Sequence, residues 1–392
     1  MFKDVEKAIS DLKAGKLIVV VDDDDREAEG DLVGLAELAS PENVNFMTKY
    51  ARGLICAPVS KSIAERLELV PMSEENTDAH GTAFTISVDH KTTSTGISAF
   101  DRAKTIQELA SQSSKASDFH CPGHMFPLVG RSGGVLKRRG HTEASLELAR
   151  LAGSREASYI CEILKDDGTM ARKSDLREFA QKWDLTMIEV GDIARYVSFQ
   201  DSPKVKLPSS YGDFDLRLFE DEFHREHILL SKGELTSDEP LLLRLHSECL
   251  TGDIFGSYRC DCGEQLHAAM KKINEIGRGA ILYLRQEGRG IGLKNKLKAY
   301  QLQENGFDTY DANVELGFAP DARDYQIAAD ILSFLKIKQV KLLTNNPDKL
   351  EQLIDAGIEI VERLPLQVPA HQENRAYLQT KQEKFHHLLH IV

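Results

Sequence analysis

The segment HSECLTGDIFGSYRCDCGEQL, residues 246–266, follows a predicted β-strand and ends inside a predicted helix that begins at Cys262. Its cysteines, Cys249, Cys260 and Cys262, are spaced as C-x10-C-x-C. Zinc bound by three protein thiolates keeps a fourth position for water, which is typical of a catalytic site rather than a closed structural one. Water on such a metal ionises near neutral pH and becomes a nucleophile. The spacing therefore predicts a catalytic zinc centre.

Two alternatives stay open on the residues alone. The cysteines could be buried thiols without a metal, although two thiols one residue apart among glycine, aspartate and arginine argue against this. A histidine, His246 or His267, could instead supply a fourth ligand and close a structural zinc site. The position of these histidines relative to the thiols separates an open site from a closed one.

A glycine-rich motif lies farther along the second half. RQEGRGIG, residues 285–292, places Glu287 and Arg289 in a loop after a predicted strand, Ala280–Arg285. The free N–H groups of such a loop can hold a phosphate or the edge of a base. The motif differs from the common nucleotide-binding loops, so alone it indicates only a candidate anion site.

Two more polar motifs of the second half fit either a functional or an ordinary role. PDARD, residues 320–324, puts Asp321 and Arg323 at the start of a predicted helix, where the residues alone favour an N-cap and a solvated arginine over a functional role. TNNP and the nearby Lys349 fit an ordinary turn from a strand into a helix.

The first half carries an acidic run, VDDDDREAEGD, at residues 21–31, directly after a short predicted strand, Leu17–Asp22. Seven of its eleven residues are acidic, as in many solvated surface loops. Carboxylates clustered beside a buried strand can also hold Mg²⁺ through their oxygens. A metal site and a solvated loop are therefore both open.

GGVLKRRGHTEAS, residues 133–145, joins a basic turn to a predicted helix that begins at Thr142. Arg138 and Arg139 could grip a phosphate, and Thr142 could cap the helix, whose N-terminal N–H groups also attract anions. His141 is a candidate metal ligand or base. The motif predicts a phosphate site.

Two strands of the first half are predicted from their patterns. TAFTISVD, Thr82–Asp89, alternates apolar and polar residues as a half-buried strand does. Tyr159–Leu164 is a second strand, in which Glu162 would be costly without a partner. A pairing or catalytic role is expected for this carboxylate.

The chain divides near its middle, at Asp201–Asp213, where prolines, serines and a glycine interrupt any helix or strand pattern. We therefore expect an α+β (mixed α/β) protein with two separate mixed-sheet domains. Their predicted bounds are residues 1–200 and 206–392, and the Pro- and Ser-containing segment is the predicted linker.

Composition limits the classes of function. The chain has 392 residues, of which 41% are hydrophobic and 28% charged, and a formal net charge of −13. This acidity argues against sequence-independent nucleic-acid binding, which depends on many Lys and Arg contacts to phosphate. The sequence has no apolar run of about 18 residues and no signal-peptide core. A cytoplasmic protein without membrane or nucleic-acid partners is expected.

From about Leu207 onward the chain resembles GTP cyclohydrolase II, through RLHSECLTGD, CDCGEQL, RQEGRGIGLKNK, DTYDAN, LGFAPDARD and LLTNNPDK. The resemblance implies that the three cysteines bind one Zn²⁺ whose water attacks C8 of guanine, and that C8 leaves as formate. It implies that Arg323 attacks the α-phosphate and releases pyrophosphate, with Asp321 as proton acceptor. Arginine is a poor nucleophile while protonated, so it needs such an acceptor.

The resemblance also implies a set of GTP-binding positions. They are Arg244, Glu248, Gln265, Glu287, Gly288, Arg289, Thr309, Thr344 and Lys349. A carboxylate such as Glu287 suits the N1–H and N2–H donors of guanine, while arginine and lysine suit the triphosphate. Mg²⁺ or Mn²⁺ is expected on the phosphates of GTP.

Residues 3–199 resemble 3,4-dihydroxy-2-butanone 4-phosphate synthase, through strings such as REAEGDL, TGISAFDRAKTI, GGVLKRRGHTEA and CEILKDDGTMAR. The resemblance implies conversion of D-ribulose 5-phosphate to L-3,4-dihydroxy-2-butanone 4-phosphate and formate. Glu27 and His141 would hold Mg²⁺ or Mn²⁺, which stabilises an enediolate while carboxylates move protons. Glu27, His141 and Glu162 are the implied catalytic residues.

The same resemblance implies contacts to the sugar phosphate. They come from Arg26, Glu27, Asp31, Arg138, Arg139, Gly140, His141, Thr142 and Glu162. The chain departs from the family pattern at Ala28, where a polar residue is usual, and at Cys121 and Val129, where arginine is common.

Together the two resemblances predict a bifunctional riboflavin-biosynthesis enzyme that acts on GTP and D-ribulose 5-phosphate, with a homodimer as the family-level expectation. One alternative keeps GTP hydrolysis and makes the first half a weak or inactive scaffold or regulatory module. Another is a GTP- or flavin-sensing protein with a structural zinc. Release of formate from each substrate separately distinguishes the three.

Overall fold

Short apolar and β-branched runs form the sheet of the first half. All four residues of the strand IVVV, Ile18–Val21, are buried, as expected for β-branched side chains packed within a sheet. The computed structural model describes residues 2–23 and 26–389, so Asp24 and Asp25 of the acidic run lie outside the described residues. The described strands of this sheet are β1 (Ile18–Val21), β2 (Gly30–Leu35), β3 (Cys56–Val59), β4 (Val88–His90), β5 (Phe119–Val129), β6 (Ser158–Glu162) and β7 (Met187–Glu189).

The first sheet is mixed and has the strand order β4-β5-β3-β6-β2-β1-β7. β2 is antiparallel to both β1 and β6, whereas β1 runs parallel to β7 and β3 parallel to β5. The helices of this half are α1 (Phe2–Lys13), α2 (Pro41–Phe46), α3 (Lys61–Arg66), α4 (Ala99–Ala110), α5 (His141–Ala152), α6 (Lys173–Trp183) and α7 (Val190–Gln200). α5 buries Leu148 and Ala149 in a cluster that includes Val20 of β1.

The second sheet places polar motifs at the carboxyl ends of parallel strands. Its described strands are β8 (Lys204–Ser209), β9 (Gly212–Glu220), β10 (Glu226–Lys232), β11 (Leu241–Ser247), β12 (Gly279–Leu284), β13 (Gln339–Leu343) and β14 (Glu359–Leu364). They are ordered β14-β13-β11-β12-β10-β9-β8, and β11 is parallel to both β12 and β13. Ligands commonly bind at the carboxyl ends of such strands. These three ends lead into Glu248, Gln286 and Thr344.

Helices connect the strands of the second sheet. They are α8 (Leu250–Asp253), α9 (Cys262–Ile276), α10 (Gly292–Glu304), α11 (Thr309–Glu315), α12 (Gln326–Phe334), α13 (Pro347–Asp355) and α14 (Arg375–Glu383).

The chain divides into two compact units between Val197 and Ser198. The predicted class, mixed α/β with two mixed sheets, is confirmed. None of the described helices combines the length and the apolar character needed to cross a membrane.

The sequence predicted a linker without helix or strand at Asp201–Asp213, and this prediction is wrong. Lys204–Ser209 forms β8, which pairs antiparallel with β9 through a tight turn. Pro208 is tolerated because β8 is an edge strand of the sheet, where a missing N–H breaks no ladder. The prolines and serines therefore mark an edge hairpin of the second unit.

The predicted strand at Thr82–Asp89 is largely wrong. β4 begins only at Val88, and the preceding residues make isolated bridges such as that between Phe84 and Leu128. The N–H of Thr85 donates to the carbonyl of Pro127, which has no N–H to return, so the ladder does not continue.

The predicted start of a helix at Ala322 is also wrong. α12 begins at Gln326, and the carboxylate of Asp324 accepts the N–H of Gln326 at 2.7 Å. Asp321 is therefore not the N-cap of this helix, and its carboxylate pairs with Arg323 in the loop.

Candidate active sites

Three thiols from two separate segments come together in the second unit. Cys249 follows β11, while Cys260 and Cys262 lie at the start of α9. Their sulfur atoms lie within 4.8 Å of one another, close enough to hold one metal ion. Hydrogen bonds with the other two thiols and the charge of Lys296 lower the pKa of Cys249, which favours the thiolate that a metal requires.

Neither histidine considered as a fourth ligand joins the thiols in the described part of the chain. Nε2 of His246 lies 3.1 Å from Oδ1 of Asp253. The ring of His267 stacks on Tyr211, with centroids 4.8 Å apart. This geometry favours a site with three protein ligands over a closed one.

Close packing of α8 on the start of α9 brings the thiols together. A Cβ at Gly263 would overlap the carbonyl oxygen of Gly252, and a Cβ at Gly252 would lie 2.9 Å from Sγ of Cys260. Backbone atoms cannot turn aside as a flexible side chain can, so glycine is required at position 263.

A cavity of about 120 Å³ opens beside the thiols. All the residues predicted to bind GTP line it, together with Arg323: Arg244, Glu248, Gln265, Glu287, Gly288, Arg289, Thr309, Thr344 and Lys349. The loops after β11, β12 and β13 contribute most of this set, so the topology gathers motifs that are far apart in the sequence.

The cavity also contains residues that the sequence analysis did not single out. Among them are Lys296, Tyr300, Asn345, Tyr377, Lys381 and His387. Lys296 could have been found, because it lies with Ala299 on the buried side of α10, where a lysine needs a partner. The residues of the C-terminal segment belong to no motif, so no signal pointed to them.

Buried cations lie along one side of the cavity. Arg244 donates from Nη1 to the carbonyl of Leu343 at 3.0 Å, while its buried Nε makes no hydrogen bond within the described residues. Nη1 of Arg289 is likewise buried without a hydrogen bond there. Burial and the nearby charge of Arg244 lower the pKa of Lys349. Unpaired buried donors suit a multiply charged anion.

Arg323 and Asp321 form a two-point ion pair. Nε of Arg323 donates to Oδ1 of Asp321 at 2.8 Å, and Nη2 donates to Oδ2. Burial lowers the pKa of Arg323, but Tyr325 and Asp321 outweigh burial and raise it above its usual value. The guanidinium is therefore protonated, and Asp321 is in place to accept its proton.

Glu287 lies between the glycine-rich loop and the thiols. Its Oε2 accepts the N–H of Leu250 at 2.6 Å, and its Oε1 lies 2.8 Å from Nζ of Lys296. Oε1 also accepts the N–H of Gly288. A carboxylate has about four acceptor sites, so these three partners leave room for one further N–H donor. Nζ of Lys296 also lies 3.1 Å from Sγ of Cys249.

In the first unit, Asp22, Glu27 and His141 form a second cluster. Their ligand atoms lie within 4.8 Å of one another. Oδ1 of Asp22 and Nε2 of His141 are buried and make no hydrogen bond within the described residues. Burial lowers the pKa of His141, which favours the neutral ring that binds metals. Asp22 was part of the acidic run but was not singled out.

Two carboxylates face each other beside this cluster. Asp31 of β2 lies opposite Glu162 of β6 in the ladder, and Oδ1 of Asp31 lies 3.7 Å from Nδ1 of His141. Burial and the charge of Glu162 raise the pKa of Asp31 well above its usual value. Oε2 of Glu162 accepts the N–H of Leu54 at 2.8 Å.

The arginines of the first unit differ in how closely their side chains are paired with carboxylates. Arg26 is held between Asp22, at 2.6 Å, and Glu27, at 2.8 Å. Arg138 pairs with the buried carboxylate of Glu143 at 2.6 Å. The side chain of Arg139 is 50% exposed and lies 3.5 Å from the carboxylate of Asp23.

The predicted cap at Thr142 is wrong, because α5 already begins at His141 and Gly140 is its N-cap residue. Thr142 nevertheless lies in the first turn, whose N–H groups have no partner within the helix, whereas the N–H of Gly140 donates to the carbonyl of Arg138 at 2.9 Å. Ala28 is one of the positions at which the chain departs from the family pattern. Its φ is 53°, a left-handed backbone conformation that residues other than glycine rarely adopt.

Two family models match the chain. The model described as 3,4-dihydroxy-2-butanone 4-phosphate synthase matches residues 6–196, and the model of GTP cyclohydrolase II matches residues 200–365. Curated proteins named riboflavin biosynthesis protein RibBA are similar over the full length. Those from Bacillus cereus and Bacillus cytotoxicus are 52% and 53% identical over 397 residues, with 100% of both chains covered.

The chain belongs to the RibBA family of riboflavin biosynthesis proteins. It is therefore bifunctional, with a synthase domain that is a lyase and a cyclohydrolase domain that is a hydrolase. Both domains act on small molecules. The prediction of a bifunctional enzyme is confirmed over the alternative in which the first half is only a scaffold. A solved 3,4-dihydroxy-2-butanone 4-phosphate synthase in complex with two magnesium ions is 40% identical, covering 50% of this chain and 96% of its own, with a TM-score of 0.48.

The glycine contact between α8 and α9 yields a first prediction. Alanine normally stabilises a helix relative to glycine, but Gly263→Ala should destabilise the second unit by about 1–3 kcal/mol through the backbone overlap. It should also lower the metal content of the purified protein. Denaturant unfolding and metal analysis check this beside Glu275→Ala, an exposed change on the same helix. Unchanged stability and metal content would show that the helices separate without cost.

Proposed function

We propose that the second unit hydrolyses GTP to 2,5-diamino-6-(5-phosphoribosylamino)pyrimidin-4(3H)-one, formate and pyrophosphate in the cavity beside the three thiols. The observation that carries this proposal is the convergence of the thiols, the predicted GTP-binding residues and Arg323 on one cavity. The cavity brings together the thiols, Glu287 and the buried cations. A guanine ring and a triphosphate have the matching chemistry.

The thiol cluster fits zinc. Three soft sulfur ligands within reach of one ion suit a site that keeps an open position. A zinc ion bound there supplies the Lewis acidity that activates water for attack on C8 of guanine. Glu287 is in place to accept one N–H of the base and so to orient C8 toward the thiols. Lys296 holds Glu287 in this position and offsets the negative charge of the thiolates.

Arg244, Arg289 and Lys349 bind the triphosphate in this proposal. Thr309 and Thr344 offer hydroxyl groups to the same ligand, and Mg²⁺ or Mn²⁺ accompanies the phosphates. Arg323 gives a proton to Asp321 and attacks the α-phosphate, so that a P–N bond forms while the P–O bond to pyrophosphate breaks. Water then cleaves the P–N bond, which releases the nucleotide as a monophosphate and restores the guanidinium. Asp321 lies within hydrogen-bonding distance as the acceptor, but the raised pKa of Arg323 and the lowered pKa of Asp321 oppose the transfer, so the reaction must overcome this cost.

We propose that the first unit converts D-ribulose 5-phosphate to L-3,4-dihydroxy-2-butanone 4-phosphate and formate at the cluster of Asp22, Glu27 and His141. One imidazole and two carboxylates fit a hard divalent cation such as Mg²⁺ or Mn²⁺, and two buried atoms of the cluster have no other partner among the described residues. Such a cation supplies positive charge beside the neighbouring oxygens of the substrate.

The remaining side chains of the first unit have distinct roles in this proposal. Asp31, whose pKa is raised by burial and by the charge of Glu162, is the proton donor in this proposal, and Glu162 is the base. Arg139 and the N–H groups of the first turn of α5, around Thr142, hold the phosphate, because Arg138 is already paired with Glu143. Arg26 orients Glu27.

A second prediction tests the metal cluster of the first unit. Glu27→Gln keeps the shape of the side chain but removes its charge, so conversion of ribulose 5-phosphate should fall at least about 100-fold. GTP turnover should be unchanged. Formate release from each substrate, measured beside the exposed change Glu42→Gln, checks this. Normal synthase turnover in Glu27→Gln would mean that the acidic run is only a solvated loop.

A third prediction separates the two reactions on GTP. Arg323→Ala should reduce pyrophosphate release about 1000-fold, because an anionic transition state loses its attacking or stabilising group, while metal content stays normal. Mass spectrometry of enzyme quenched during turnover distinguishes the two roles. A phosphoryl group on Arg323 would identify the guanidinium as the nucleophile, whereas turnover without any phosphorylated Arg323 would leave it only the stabilising role.

A fourth prediction concerns the thiols. Cys260→Ser replaces a soft anionic ligand with a neutral hydroxyl group, so the protein should lose its metal and its release of formate from GTP. Pyrophosphate release should partly survive, with GMP as the product, and ribulose 5-phosphate should be converted normally. Metal analysis and chromatography of the products provide the test. Full zinc occupancy with normal formate release would contradict the ligand assignment.

A further inference from the structure

The C-terminal segment, residues 371–389, lies beyond the stretch that the GTP cyclohydrolase II model matches. It contains α14 and the turn that follows. No motif in its sequence suggests a function, yet Tyr377, Lys381 and His387 line the cavity proposed to bind GTP. These side chains make the segment one wall of that cavity.

Lys381 connects this segment to the floor of the cavity. Its Nζ lies 2.6 Å from Oδ1 of Asp261, and both side chains are almost fully buried. Oδ2 of Asp261 accepts from Nε2 of Gln265, whose Oε1 accepts from Nη2 of Arg244, at 2.5 Å in each case. A chain of four polar side chains therefore runs from α14 to Arg244. Removing Lys381 would leave a buried carboxylate without its cation and would release Gln265.

Phe385 holds a second arginine of the cavity. The guanidinium carbon of Arg289 lies 4.1 Å from the centroid of the Phe385 ring and 5.8 Å from that of Tyr377. The Phe385 ring also packs at a tilt against Tyr310, with centroids 5.5 Å apart. Contact with an aromatic face fixes the plane of a guanidinium without occupying its N–H donors. The buried, unpaired Nη1 of Arg289 is thereby kept for a ligand.

Polar contacts anchor the segment on one loop and two helices that carry residues of the same cavity. The N–H of Leu388 donates to the carbonyl of Asn345, after β13, at 2.8 Å. Nζ of Lys384 lies 2.9 Å from Oδ2 of Asp311 on α11. Nε2 of His371 lies 2.9 Å from Oε1 of Glu264 on α9. The segment is thus placed by the elements that carry the GTP-binding residues.

We propose that the C-terminal segment belongs to the GTP site and that Lys381 and Phe385 are positioning residues for the triphosphate. Lys381 places Gln265 and Arg244 through Asp261, and Phe385 places the guanidinium of Arg289. This inference rests on the GTP site proposed above. Because arginine–phosphate contacts exist before and during the reaction, the loss should appear mainly in KM rather than in kcat.

The decisive variants are Phe385→Leu and Phe385→Trp. Leucine keeps apolar volume but removes the aromatic face, so KM for GTP should rise about tenfold, or ~1.4 kcal/mol, with kcat within about twofold. Tryptophan restores the face and should restore KM. Lys381→Met should act in the same direction, and Lys381→Arg should recover most of the affinity. Gln379→Ala, an exposed change on α14, is the matched control.

Three further measurements distinguish a misfolded variant, a loss of affinity for GTP and an incorrect GTP site. Metal content and synthase activity show whether each variant is folded, and calorimetric binding of α,β-methylene-GTP measures affinity without turnover. Weaker binding with leucine and recovery with tryptophan support the proposal even if the assigned chemistry fails. Equal binding by the wild type, Phe385→Leu and Phe385→Trp would overturn it, and so would a loss that tryptophan does not restore. If the wild type binds no GTP analogue at all, the proposed GTP site itself is wrong.

Discussion

The parallel alignment of β11 with β12 and β13 is the constraint on which the second unit depends. Because parallel strands end at the same edge of the sheet, three loops that are distant in the sequence meet there. One loop brings Cys249, the next brings Glu287 and Arg289, and the third leads to Lys349. Neighbouring helices can then complete the site, and the packing of Gly263 on Gly252 brings the remaining thiols to Cys249.

In the first unit, the antiparallel pairing of β2 with β6 positions the polar side chains. It sets Asp31 opposite Glu162 and holds both near His141. Two close carboxylates in a buried place cannot both keep a full charge at low cost, so the pKa of Asp31 rises. The pairing that stabilises the sheet therefore also places a carboxyl group with a raised pKa beside a second carboxylate. A cation bound at Glu27 and His141 would reduce the same repulsion.

The sequence was sufficient to predict an element where a local pattern of residues determines its structure. α9 begins at Cys262 as predicted, because the apolar period of this segment is a local signal. It was insufficient where a long-range contact controls the structure. β8 is a strand because β9 pairs with it, despite Pro208, and Lys381 reaches the cavity only through tertiary packing against Asp261. The motif residues of the cavity were predictable through family resemblance, whereas the wall built by α14 was not.

The net charge of −13 and the cationic cavity are compatible because charge is sorted by position. Buried donors of Arg244 and Arg289 are left without partners among the described residues, and leaving such groups unpaired costs stability. A ligand that accepts hydrogen bonds from these donors removes this destabilisation. Binding of the ligand should therefore stabilise the folded protein. The same reasoning applies to Asp22 and His141 of the first unit, whose unpaired atoms suit a cation. Opposite kinds of unpaired atom thus distinguish the two sites: donors for the triphosphate in one, and carboxylate and imidazole ligands for a divalent metal in the other.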